Sequence, residues 1–180
     1  MADTLANTIY STAASAPATA KASWLDVLLL SMIFVVMAFG LGDYGLYEPH
    51  EAHFAGVGRE MFARGDWITP HLNGAPYLNK PPLFYLLIGG SFALFGVIEF
   101  AARLPLALIG WCGVLLAWRW ALQLWSLRAA RGAAVMLTVS VGWYVFCHQL
   151  LIDALLSVLN FASIYFLWRA TLAPQKRGRL

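Results

Sequence analysis

The stretch EPHEAHFAGVGREMFARGDWITPHLNGAPYLNKPPL, from Glu48 to Leu83, lies between two oily segments, and its reading decides the fold. It holds three of the four histidines and four of the nine acidic residues, Glu48, Glu51, Glu60 and Asp66. Pro49 followed by Glu51 suits the first turn of a helix, where the fixed φ of proline fits and a carboxylate complements the positive end of the dipole. Phe54, Val57 and Met61 then recur at helical spacing, while His53, Glu60 and Arg64 share a polar face. The spacing predicts a short amphipathic helix lying in a headgroup plane. Gly65-Asp66 ends it, Asn73-Gly74 signals a turn, and Pro81 bars helix at Lys80.

Away from this stretch the chain is apolar. Of its 180 residues 61% are hydrophobic and only 12% charged, with a mean hydropathy of +0.68. Soluble domains carry about a quarter charged residues, so this composition predicts an integral membrane protein. The net charge of +3 is then a topology signal, set by where Lys and Arg fall, and no sign of nucleic-acid binding. Cys112 and Cys147 lie in apolar runs, which suits small hydrophobes and not a disulfide.

The expected fold is an all-α polytopic membrane protein with about four transmembrane helices and two interfacial helices in the first outer loop. Four segments are long enough for a bilayer core of ~30 Å: Trp24–Leu41, Leu104–Leu127, Ala133–Phe146 with extension to Leu151, and Ala154–Trp168. Residues 1–23, rich in Ala, Ser and Thr, are expected to be a disordered cytoplasmic terminus. No cleavage site follows Trp24–Leu41, which therefore reads as a retained anchor. The run Pro81–Val97 is short, begins with Pro-Pro and carries Gly89-Gly90. Grounding it at the surface puts the N-terminus, Arg128 and Arg131, and the basic tail 172–180 on one face, as the excess of cytoplasmic Lys and Arg requires. The transmembrane region is then 24–171, and the loop 43–103 and Asp153 share the opposite face.

Glu51 has two readings, a helix-start acid or a functional carboxylate. Arg59 and Arg64 suit snorkelling to lipid phosphates. Lys80, stiffened by Pro81-Pro82 at the bilayer surface, is either an anchor or a phosphate ligand. Asp153, between QLLI and ALLSVL, is costly near hydrocarbon and is a functional candidate by default, an N-cap role being compatible with it. His71 reads as a loop residue, and His148 as a ring resting at the interface. No spacing matches a closed zinc site, although His50, Glu51 and His53 leave a divalent metal open as an alternative.

The longer stretch from Glu48 to Leu108, with its REM, GDW…P…NG, KPPL and FG…EFAARLP pieces and DALL at Asp153, resembles the N-terminal part of membrane glycosyltransferases that use polyprenyl-phosphate sugars. These include the aminoarabinose transferases of lipid A modification and the protein O-mannosyltransferases. The resemblance covers roughly residues 40–170. It implies a multi-pass fold in a bacterial inner membrane, with the active site facing the periplasm. It implies transfer, with inversion, from a polyprenyl-phosphate sugar to a lipid, glycan or protein, with that donor as substrate and no cofactor. Lys80 matches the lysine expected to hold the donor phosphate, with Arg59 or Arg103 as helpers, and Asp153 matches a second acid near the site. The family's Asp-Glu pair falls on His50-Glu51, so a histidine stands where an aspartate is typical, and His53 stands where Arg is usual. His50, Glu51 or the upstream Glu48 is then the candidate base, imidazole being able to serve near neutral pH. The competing class is a non-catalytic truncated membrane protein, a lipid-carrier-binding subunit or a small transporter. A transporter should carry polar residues mid-span, whereas here they cluster at the outer edge.

Overall fold

A computed structural model describes residues 22–47 and 49–172. The expected disordered segment and the basic tail fall largely outside these residues, and Glu48 falls outside them too. Seven helices and a two-residue hairpin follow one another among the described residues. They are α1 (Trp24–Ala38), α2 (His50–Arg64), β1 (His71–Leu72), β2 (Ala75–Pro76), α3 (Pro82–Phe95), α4 (Glu99–Leu124), α5 (Leu127–Val139), α6 (Val141–His148) and α7 (Ile152–Leu172).

The stretch that opened the sequence folds as its spacing predicts. Phe54, Val57 and Met61 are buried on one side of α2. Gly65 ends that helix in the left-handed region, at φ 68°, which glycine enters without a Cβ penalty. Asn73 (φ 52°) and Gly74 (φ 82°) make the turn, and the short antiparallel pairing of His71 with Pro76 and of Leu72 with Ala75 flanks it. These strands were not expected. The positive φ of both central residues brings the flanking backbone into register, and Glu60 of α2 accepts from the Asn73 and Gly74 amides.

α2 and α3 run parallel. Phe54 meets Phe84 edge-on at 5.5 Å, and one turn further Gly58 lies against Ile88 and Gly89. A Cβ on Gly58 would stand 2.6 Å from Ile88 Cγ2, so glycine is what lets the two backbones approach. This register carries the N-terminal ends of both helices to one level, with His50 at the head of α2 and Lys80 just ahead of α3.

α4 is the central element. One core forms where its first turns meet α2, α3 and the α6–α7 connection, through Ala101, Leu106, Phe84, Tyr85, Ile88 and Leu150. A second forms further along it, where Val114 and Trp118 meet Ile33 and Met37 of α1, Ala130 and Ala134 of α5, and Cys147 of α6. Trp111 of α4 also donates to the Leu30 carbonyl of α1 at 2.9 Å. Exposed Val27, Leu28, Val35 and Val36 of α1, and Leu159, Ile164, Phe166 and Leu167 of α7, leave a broad apolar exterior suited to lipid.

The membrane-spanning helices differ in detail from expectation. Among the described residues, α4 and α7 are long and apolar enough to cross a bilayer, and α5 with α6 qualifies only as a pair bent by 62°. The continuous third span is therefore corrected to a broken one. Ser140 sits in an extended conformation between the two helices, with Gly142 two residues on, a pairing that commonly kinks helices. α1 stops at Ala38, not Leu41, because Phe39 is extended and Gly40 adopts φ 76°. Its 15 residues reach about 22 Å. By length the described helices give two spans, or three with the bent pair. The second span begins earlier than expected, at Glu99, with Pro105 inside the helix. Pro81–Val97 becomes α3, a short apolar helix of 14 residues.

Gly110 marks the tightest crossing. A Cβ there would collide with Cys147 Sγ and approach Met37 Cε to 2.7 Å, so α1, α4 and α6 all press on one hydrogen atom. Gly110→Ala is expected to cost about 1–3 kcal/mol by overpacking. Thermal unfolding in detergent should show Cys147→Ala recovering part of that loss, a coupling that independent sites would lack.

Candidate functional site

Glu51 lies in the first turn of α2 and is only 2% exposed. Its two oxygens take four hydrogen bonds. Oε1 accepts from Arg103 Nε at 3.1 Å and from the Leu150 amide at 2.9 Å. Oε2 accepts from Arg103 Nη2 at 2.8 Å and from the Tyr47 amide at 2.9 Å. A carboxylate near a helix start is favoured by the dipole, but here its main partner is a bidentate guanidinium, the strongest pairing available to it.

Arg103, fully buried in the second turn of α4, completes the arrangement. Nη1 donates to the carbonyls of Leu41 (2.8 Å) and Tyr44 (2.9 Å), and Nη2 to that of Gly45 (2.9 Å). The Tyr44 ring faces the guanidinium at 4.0 Å, and its hydroxyl donates to the His148 carbonyl at 3.3 Å. All five N–H donors of Arg103 are used by the protein, which leaves none for a phosphate. Burial pushes the Glu51 carboxyl upward, yet the Arg103 hydrogen bonds, the Tyr47 and Leu150 amides and the guanidinium charge outweigh it and hold the group below the usual carboxylate range. An ionised acid with its lone pairs so occupied is poorly suited to accept a substrate proton. Glu51 and Arg103 together tie the head of α2 to α4, to the 41–47 connection and to the loop before α7.

The other candidates divide by position. His50 and Lys80 are exposed at the level set by the α2–α3 register, and Asp153 is exposed in the first turn of α7. The Leu150 amide that Glu51 holds precedes Asp153 by three residues. Asp153 is therefore not the N-cap, because α7 already begins at Ile152. Arg59 stands apart. It lies nine residues along α2 from His50, about 13 Å along the axis, and faces Phe92 and Glu99 at the other end of α3.

Three histidines differ from expectation. His53, read as part of a polar face with Glu60 and Arg64, meets Tyr77 at 4.8 Å and Phe54 at 5.9 Å. Its Nε2 and the hydroxyl of fully buried Tyr85 have no hydrogen-bond partner among the described residues. His148, expected at the interface, is 5% exposed and stacks on Tyr144 at 3.7 Å. His71, read as a loop residue, instead opens β1 opposite Pro76, with Nδ1 2.8 Å from the Thr69 carbonyl. Among the described residues no three His, Cys, Asp or Glu side chains converge as metal ligands, and both cysteines are free thiols.

Sequence reasoning missed two anchors. Tyr44 carried no periodic signal, since its partners are 59 and 104 residues away. At the far end of the helices, fully buried Asp26 of α1 accepts from Arg131 Nε at 2.7 Å, and Ser23 donates to Asp26 from both its amide and its hydroxyl. An Asp three residues after a Ser at the start of an apolar run was the available cue for the second.

The family model for dolichyl-phosphate-mannose-protein mannosyltransferase matches residues 79–178, more than half of the chain. The chain belongs to this family. Within it, the chain is 36% identical over 116 residues to an undecaprenyl phosphate-alpha-4-amino-4-deoxy-L-arabinose arabinosyl transferase of Pseudomonas savastanoi pv. phaseolicola, covering 64% of this chain and 22% of that protein. A namesake from Serratia proteamaculans is 32% identical over 164 residues, covering 88% and 29%. The crystal structure of ArnT from Cupriavidus metallidurans bound to undecaprenyl phosphate superimposes with a TM-score of 0.74 at 32% identity, over 81% of this chain and 27% of that one. This mannosyltransferase-family chain is thus a helical, multi-pass membrane protein spanning less than a third of the length of these relatives.

Proposed function

We propose that the chain forms the N-terminal, donor-binding part of an inverting glycosyltransferase that moves a sugar from a polyprenyl-phosphate donor to an acceptor at the outer face of a bacterial inner membrane. The observation that carries the reading is the buried Glu51–Arg103 pair. It fastens α2, α4 and the α6–α7 connection, which supports a reading in which exposed His50, Lys80 and Asp153 act together at one edge of the helices. In the transfer, an acceptor oxygen bonds to the anomeric carbon as the bond from that carbon to the phosphate oxygen breaks. The electron pair leaves with the polyprenyl phosphate, whose charge Lys80 stabilises. The acceptor proton passes to His50 or Asp153 as general base. Apolar α3 and the exterior of α4 supply a wall for the prenyl chain. The lipid-linked sugar is the substrate, and the reading assigns no resident cofactor or metal to this part. A lipid acceptor agrees best with the aminoarabinose transferase relatives. Four spans with both termini cytoplasmic remain the proposed topology, α1 crossing with the help of its flanking residues.

Lys80 tests the proposal. Lys80→Ala is expected to weaken undecaprenyl phosphate binding to the purified chain roughly tenfold, in line with loss of one charge-assisted contact. Lys80→Arg should restore binding only in part, because a planar fork replaces a compact ammonium. Unchanged affinity in both variants would reduce Lys80 to a membrane anchor.

A further inference from the structure

A second polar feature lies away from the His50–Lys80–Asp153 edge. Between α2, the end of α3 and the start of α4 is a cavity of ≈ 270 Å³. Its α2 wall is made of Ala52, Ala55 and Gly56, residues too small to fill it, and Phe92 closes the α3 side. Arg59 and Glu99 both line it. Both are exposed, and among the described residues neither belongs to an ion pair or a side-chain hydrogen bond, although Glu51, Asp26 and Glu60 do. Two opposite charges thus share one small cavity without neutralising each other. Beside them the α3–α4 corner presents a strongly apolar rim, with Leu94 79% exposed and Phe95, Val97 and Ile98 about half exposed. An amphipathic helix on one side and an apolar corner on the other is the arrangement of a headgroup-level site, with acyl chains running down the corner.

We infer that this cavity binds the phosphoethanolamine headgroup of a membrane phospholipid. A ligand that pairs with both side chains carries both charges, and the groups it presents follow from their chemistry. The guanidinium of Arg59 offers a fork that matches two phosphate oxygens. The carboxylate of Glu99 accepts hydrogen bonds from a primary ammonium, which a quaternary choline cannot donate and a glycerol headgroup cannot answer in charge. The short side chains of Ala52 and Ala55 leave room for the ethanolamine carbons. The site is independent of the donor reading, since it uses neither Lys80, His50 nor Asp153.

The purified chain in nanodiscs containing equal parts phosphatidylethanolamine, phosphatidylglycerol and phosphatidylcholine, followed by native mass spectrometry of the lipids it retains, tests the inference. Wild type is expected to retain phosphatidylethanolamine roughly tenfold over either competitor, the factor that one charge-assisted contact supplies. Glu99→Gln should abolish that preference. Arg59→Ala should lower retention of every phospholipid, while Arg59→Lys should keep the order at reduced strength. Both positions are exposed, so the variants are expected to match wild type in thermal unfolding. Equal retention of phosphatidylglycerol by wild type, or a preference that survives Glu99→Gln, would overturn the inference. So would displacement of the retained phospholipid by a lipid-linked amino-sugar phosphate that depends on Arg59 and Glu99, which would make the cavity a donor site instead.

Discussion

Arg103→Ala is expected to unfold the outer half of the protein, costing about 3–5 kcal/mol, the usual penalty for stranding one member of a buried ion pair. The substitution leaves Glu51 buried with two of its four donors gone, and frees the carbonyls of Leu41, Tyr44 and Gly45 that the guanidinium now satisfies. Thermal unfolding in detergent should show a large drop, with the head of α2 and the loop before α7 becoming protease-sensitive first. Arg103→Lys should recover little, since an ammonium cannot reach five acceptors in one plane. The pair also sets a pH dependence. The folded Glu51 pKa is depressed, so its contribution is present above the unfolded carboxyl pKa and is lost as pH falls through the folded value. Stability should therefore be flat from pH 7 to about 5 and decline below about 4.3, and the decline should be shallower in Glu51→Gln, where other acids such as Asp66, held low by the Thr69 and Ile68 amides, still contribute.

Asp153→Asn is expected to reduce sugar transfer at least about tenfold in a transfer-competent form of the protein, and to leave stability unchanged. A general base contributes on the order of 10²–10⁴-fold, whereas an exposed carboxylate in the first turn of a helix contributes only ~0.3–1 kcal/mol to folding. His50 is the companion test. If imidazole takes the proton, His50→Asp should keep partial activity with an optimum at lower pH, because a carboxylate stays deprotonated to lower pH than imidazole. His50→Gln should then be nearly inactive. Full transfer in both Asp153→Asn and His50→Gln would remove the general-base assignment from this edge.

Much of the outer segment was legible because its signals are local. The Phe54, Val57, Met61 spacing, the Gly65 stop and the Asn73-Gly74 turn each act within a few residues, and each appears in the structure as read. Spans were less legible, since apolar runs mark oily sequence and not where the backbone bends. Ala133–Phe146 carries no charge, and Ser140 with Gly142 was the available cue to the 62° break. The site was legible in residue type but not in role. Glu51 was one candidate base beside His50, Glu48 and Asp153, and Arg103 a helper to Lys80 at the phosphate, yet the two are 52 residues apart and face each other. Their pairing depends on how α2 and α4 pack, which no one-dimensional pattern encodes. His53 and His148 misled for the same reason, since histidine is equally at home at an interface and stacked among aromatics.

Glu51→Gln, assayed for both stability and sugar transfer, separates the two roles most directly. The amide keeps the shape of the side chain but loses the charge that pairs with Arg103, so a supporting residue and a catalytic base diverge. The expected result is a clear fall in the unfolding temperature, with transfer per folded molecule close to that of wild type. Unchanged stability together with abolished transfer would contradict the account, and would make Glu51 the base and not the anchor of the site.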